Sequence, residues 1–217
     1  MDAPPQYQPQ LDELIAFASA EPRKPDLLNA KAEYTRLTGE VFEDDAIFEL
    51  RMASFLDYFL FDRKNPETCK TPAEELFERK QAEGAADAAV FRGFTETQHG
   101  LFEVRKLGKG TLRLRDLYTG KDAEVTERRQ MVGLEKGDIL EARLIPFTGC
   151  LLFSSAFCYH PKAAIKAIKK EVKRRKKKEP TRTAQDLTFE AARRAVKAER
   201  YKQIAVERIY DFEQSKL

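Results

Sequence analysis

The sequence predicts an α+β chain: a helical N-terminal half, a small five-stranded antiparallel β sheet or barrel, a basic arm and a C-terminal helix. Three observations carry this reading. Apolar residues recur at helical spacing up to about residue 97. From Gly100 the apolar period shortens to two. From Lys162 to Glu179 eight Lys and two Arg stand against only Glu171 and Glu179, a local charge of +8 on a chain whose total is +3. The expected divisions are a helical domain over 1–97, a β module over 98–160, a basic arm over 161–183 and a terminal helix over 184–217.

Residues 1–10 are rich in Pro and Gln and read as disordered. Leu11 to Ala20 reads as a short helix, broken by Pro22 and Pro25. Asp26 to Leu37 reads as a second helix, with Gly39 as its C-terminal stop. Asp44 to Asp62 is the strongest helical pattern of this half. Asp44 and Asp45 are placed at its positive N-terminal end, and its last turns are apolar nearly all round. Thr71-Pro72-Ala73-Glu74 is a capping box with Pro at the first helical position, opening a helix to about Ala82. After Gly84 an Ala-rich helix follows.

GLFEVRKL, TLRLRDL, DAEVTER, ILEARLIPF and CLLFSSAF are short alternating segments separated by Gly-containing turns. Five strands in about 60 residues suit a strongly bent sheet of the SH3-like or OB-like kind. After Pro161, Ala164, Ile165, Ile168 and Val172 share one side of a helix that turns polar from Lys176. Ala184 to Phe212 reads as one long helix with a thin seam of Ala191, Ala195, Ala198, Ala205, Ile209 and Phe212.

FLDYFLFDR, TPAEELFERK, GLFEVRKL, LRLRDLYTG and GDILEARLIPF together resemble a pattern of uncharacterised bacterial proteins, over roughly residues 42–160. The resemblance implies a bacterial origin and an acidic-aromatic helical half followed by a small β half. It brings no named activity and no site residues.

The charge segregation suggests the function. A polyanion releases counterions when Lys and Arg neutralise its phosphates, so Lys162, Lys166, Lys169, Lys170, Lys173, Arg174, Arg175, Lys176, Lys177 and Lys178 are the candidate nucleic-acid contacts. Lys outnumbers Arg, which favours loose phosphate contact over base reading. Arg113 and Arg115 share one face of their strand and extend the candidate surface, with Arg105 and Arg143 nearby. Glu103, Glu124 and Glu141 on comparable outward faces favour cross-strand ion pairs instead. The expectation is a non-enzymatic cytoplasmic protein, nucleic-acid-associated or regulatory, with little sequence specificity. An acidic protein surface, an acidic membrane surface and the chain's own acidic body are competing targets of the arm. The alternative function is a protein-interaction adaptor or assembly subunit that docks, or forms a homo-oligomer, through its C-terminal helix.

Three scattered Cys fit a reducing compartment, and no apolar run approaches the roughly 20 residues of a membrane span. Cys158 and His160 lack the paired spacing of a zinc site, and Cys158 reads as a core residue. His99 falls where helix gives way to strand and reads as a boundary residue. Asp116, Asp138 and Glu141 are the acids a metal-dependent hydrolase could draw on, but no motif that carries a mechanism accompanies them. No cofactor and no metal are expected.

Overall fold

A computed structural model describes residues 7–127, 133–179 and 183–213. Five helices lead: α1 (Gln8–Ala18), α2 (Lys24–Thr38), α3 (Phe48–Phe61), α4 (Pro72–Ala82) and α5 (Ala88–Thr95). Six strands follow: β1 (Gln98–Leu107), β2 (Thr111–Asp116), β3 (Asp122–Thr126), β4 (Ile139–Phe147), β5 (Cys150–Phe153) and β6 (Cys158–Tyr159). Then come α6 (Ile165–Lys178), α7 (Ala184–Arg200) and the single turn α8 (Val206–Ile209). The class is α+β, as the periodicities require.

The sheet runs β3-β2-β1-β4-β5, wholly antiparallel, and the short β6 pairs with β4 beyond β5. It curls until β3 approaches β5, forming a half-barrel. A register shift between Val104 and Lys106 bends β1 against β2. The inner face packs Phe102, Val104, Leu114, Val125, Leu140 and Phe153. The outer face, through Leu101 and Ile139, packs against α6, α7 and α8. β4 is therefore covered on both sides and buried along nearly its whole length.

The helical half has its own core of Leu14, Phe59, Leu60, Leu76, Phe91 and Phe94, which meets the sheet at Ile145. Gly93 permits that meeting. A Cβ there would stand 2.2 Å from the Pro146 carbonyl oxygen, so α5 can lie on β4 only without a side chain at this position. Gly39, at φ +90°, closes α2 in a conformation that other residues avoid. The capping box at Thr71 is formed in both directions.

Several expected boundaries move. Gln8, Pro9 and Gln10 are helical, and the Tyr7 hydroxyl donates to the Phe153 carbonyl at 2.7 Å, so order begins before Leu11; residues 1–6 lie outside the described residues. The third helix starts at Phe48, because Asp45 is spent on a turn, accepting the Phe42 amide at 2.8 Å and pairing with Arg200. The polar residues Lys176 to Lys178 remain helical, in a last turn where cations suit the negative helix end. The expected stop at Pro180 lies outside the described residues. The single helix expected from Ala184 to Phe212 is interrupted at Tyr201. Only a chain that turns back there brings Ile209 and Tyr210 into the core shared with Ile139 and Ile168.

Candidate nucleic-acid interface

The basic run is a packed helix rather than a free arm. Ala164, Ile168 and Val172 are buried against Leu101, Ile139, Leu187 and Ala191. Arg175 belongs to the same buried face. It is 1% exposed, its Nε donates to Glu171 at 2.7 Å, and its Nη2 donates to Glu190 at 2.6 Å. Burial disfavours its charge, but the two carboxylates more than offset that and push its pKa up. Arg175 therefore cannot serve as the phosphate contact expected from the sequence. Arg174 is also engaged, by Glu171 and Glu179.

Lysines make up the opposite face. At about 100° per residue, with a rise of about 1.5 Å, Lys166, Lys170, Lys173 and Lys177 form one stripe about 16 Å long. All four are exposed. Lys162, Lys166, Lys169, Lys170 and Lys173 line a shallow groove of about 590 Å³ with Ile165 between them. Three of the five are held by carboxylates from elsewhere in the chain: Lys162 by Glu135 at 2.5 Å, Lys169 by Glu103 at 3.1 Å and Lys170 by Glu213 at 2.9 Å. Lys166, Lys173, Lys176, Lys177 and Lys178 form no ion pair with any described residue.

The strand arginines do not join this surface as free cations. Arg113 and Arg115 both pair with Asp122 on the neighbouring strand, at 2.9 and 2.8 Å, so the cross-strand pairing suggested by mixed charges is what forms. Arg143 and Glu141, expected on outward faces, are 1% and 2% exposed. The alternation fails because both faces of β4 are covered.

Those two residues anchor a buried charge cluster between the helical half and the sheet. The Arg51 Nη1 donates to both Glu141 oxygens at 3.2 and 3.3 Å, and its Nη2 donates to the Tyr34 hydroxyl. Arg143 donates to Thr97 at 2.8 Å and pairs with Asp62, with Asp57 at 3.5 Å. His99 stands between, its Nε2 3.5 Å from Glu141 and its Nδ1 3.9 Å from Asp62. Burial pushes the Glu141 carboxyl up, but Arg51, His99 and His160 outweigh it and hold the group down at about 2. Burial raises Asp57, partly opposed by Arg143. Cys158, in the same core, is driven up to about 12. Burial presses the His160 imidazole down to about 4, and its Nδ1 stands 2.9 Å from the Tyr210 hydroxyl.

His99 and Asp62 also border a cleft of about 810 Å³ beside the first turn of α7. Both His99 nitrogens face carboxylates, and Asp62 is committed to Arg143. Asp116 accepts the Tyr118 and Thr119 amides, Asp138 accepts the Glu135 amide, and Glu141 holds Arg51. The acids a hydrolase could use are thus each engaged separately. Among the described residues no three His, Cys, Asp or Glu side chains converge as metal ligands.

The 217-residue sequence matches a family of unknown function, designated DUF7986, over residues 22–203. The chain belongs to that family. The matched span includes both the buried charge cluster and the lysine face of α6. No curated protein and no solved structure matches the chain. Among the described residues no helix is long and apolar enough to cross a membrane.

The terminal-helix seam is largely used inside the molecule. Ala191, Ala195 and Ile209 are buried, and Ala198 and Phe212 pack against the same core. The Phe55–Leu60 segment is likewise consumed by the helical core.

Proposed function

We propose that this protein binds the phosphate backbone of nucleic acid through the lysine face of α6, with little sequence specificity and without catalysing a reaction. One observation carries the reading. Ile168 and Val172 pack one side of α6 onto the sheet and Arg175 ties it to Glu190 of α7, so Lys166, Lys170, Lys173 and Lys177 are presented in a row on a rigid element. Their 4.5–6 Å intervals, set by a rise of about 1.5 Å per residue, are comparable to the spacing of successive phosphates on one strand. Ammonium groups act as point charges and suit phosphates rather than base edges. The three cysteines, all free, fit a reducing cytoplasmic setting.

The test is fluorescence anisotropy with a labelled random-sequence oligonucleotide at low salt, comparing the native chain with Lys166→Glu/Lys173→Glu/Lys177→Glu. These residues are exposed, and a melting curve matching the native chain's checks that the variant folds. Binding by the native chain and its loss in the variant supports the reading. Equal binding, or none by either, rejects it. Retention of the native chain, but not the variant, on acidic vesicles without any oligonucleotide binding would reassign the face to a membrane surface.

A further inference from the structure

The same lysine face carries an internal anionic segment. Past the α8 turn the chain runs back over the α6–α7 pair, and residues 211–213, Asp-Phe-Glu, make three contacts with basic side chains. Glu213 pairs with Lys170 at 2.9 Å. The Asp211 carbonyl accepts from Arg194 at 3.1 Å. The Phe212 ring lies under the Arg194 guanidinium, 4.2 Å from centroid to carbon, and meets the Tyr210 ring edge-on at 6.3 Å. Tyr210 is itself fully buried. The Lys170 ammonium thus feels Glu213 first and Asp211 second among its anionic neighbours, which raises its pKa.

We infer that Asp211–Glu213 is a strap that competes with phosphate for the lysine face of α6. This rests on the proposed binding of nucleic acid there. Tyr210 and Phe212 anchor the segment through apolar contacts. Its charged end, by contrast, is held among the described residues by a water-exposed ion pair, with Lys170 and Glu213 each more than 60% exposed. Such pairs are weak and screened by salt. A phosphate strand can therefore lift Glu213 off Lys170 without unfolding α8. Glu103 and Glu135 hold Lys169 and Lys162 in the same way, but each lies within the sheet or its loop. Among these three carboxylates, Glu213 is the one that follows α8 rather than the sheet or its loop.

The experiment compares the full-length native chain with Asp211→Asn/Glu213→Gln. The amides keep the shape of the segment, including the Asp211 oxygen that accepts the Glu213 amide at 3.0 Å. Oligonucleotide affinity should rise about two- to fivefold at low salt in the variant, with the gain fading as salt screens the pair. A second measurement follows labelling of Lys170 by an amine-reactive reagent with mass-spectrometric readout; labelling should quicken at least about twofold when the strap is neutralised, in line with the worth of an exposed pair. If the native chain binds and the variant binds equally well, the strap is overturned and the nucleic-acid reading stands. If neither binds, the nucleic-acid reading falls, and unchanged Lys170 labelling then overturns the strap as well.

Discussion

Glu141→Gln is the sharpest structural perturbation available. It preserves shape and removes one charge from the centre of the molecule. Arg51 is 1% exposed, and among the described residues Glu141 is its one carboxylate within ion-pairing distance. After the substitution the guanidinium retains the Tyr34 hydroxyl and an amide oxygen, with no counter-charge in contact. Removing one partner of a buried pair costs about 3–5 kcal/mol. For a chain of this size each kcal/mol shifts Tm by about 2–4 °C, so Tm should fall by about 6–20 °C. The pH dependence adds a second handle. The Glu141 carboxyl titrates at about 2 against an ordinary 4.5. A depressed carboxylate contributes its stability above the unfolded value and loses it as pH falls through the folded one. The gap between native and variant should therefore be full at pH 7 and narrow from about 4.5 towards 2. Replacing both partners, Arg51→Met with Glu141→Leu, leaves no unpaired charge and should cost far less than the sum of the single changes. Urea unfolding of the native chain, Glu141→Gln, the two single changes and the double variant at pH 7 and pH 3 measures all of this. A Glu141→Gln cost below about 1 kcal/mol at pH 7, typical of an exposed pair, would refute the cluster as the clamp between the two halves.

Two further outcomes follow from buried groups. His160 titrates at about 4, below the ordinary 6.5, chiefly because it is buried. The unfolded chain takes up the proton first, so stability should be level above about pH 6.5. It should then fall by about 3 kcal/mol down to pH 4, at about 1.4 kcal/mol per pH unit. His160→Gln should flatten that slope in pH-dependent unfolding, and an unchanged slope would assign it to another group. Gly93→Ala should lower stability by about 1–3 kcal/mol, the usual cost of overpacking, because its Cβ meets the Pro146 carbonyl at 2.2 Å. A neutral melting curve would mean that α5 can shift off β4 freely.

The sequence reads well wherever a local rule decides the structure. The Thr71 capping box, the Gly39 stop and the change of period at Gly100 depend on neighbours a few residues away, and each fixes an element of the fold. The α+β class follows from those elements. What the alternation could not show is that β4 is covered on both faces. Leu140 and Glu141 look like an inside–outside pair, yet both are buried, because α3 supplies Arg51 across 90 positions of sequence. A single clue was present. Arg51 and Asp57 interrupt the most apolar helix of the chain, where charges are expected only with partners. The basic run was legible as a charge and misleading as an arm. Its apolar side marked a docked helix, but nothing local revealed that Arg175 lies on that side with Glu171 and Glu190. The break at Tyr201 was hidden for a related reason, since helical propensity runs through it and only the tertiary fit of Tyr210 demands the turn.

The most direct test of the α6 lysine face is the salt dependence of oligonucleotide binding. Four to five lysine–phosphate contacts predict a slope of log K against log salt of about −3 to −4.5. Lys166→Glu/Lys173→Glu should make that slope shallower by about 1.4–1.8, since each lost contact removes about 0.7–0.9. Binding that ignores salt, or a slope unchanged by the substitutions, would contradict the assignment of the phosphate contacts to this face.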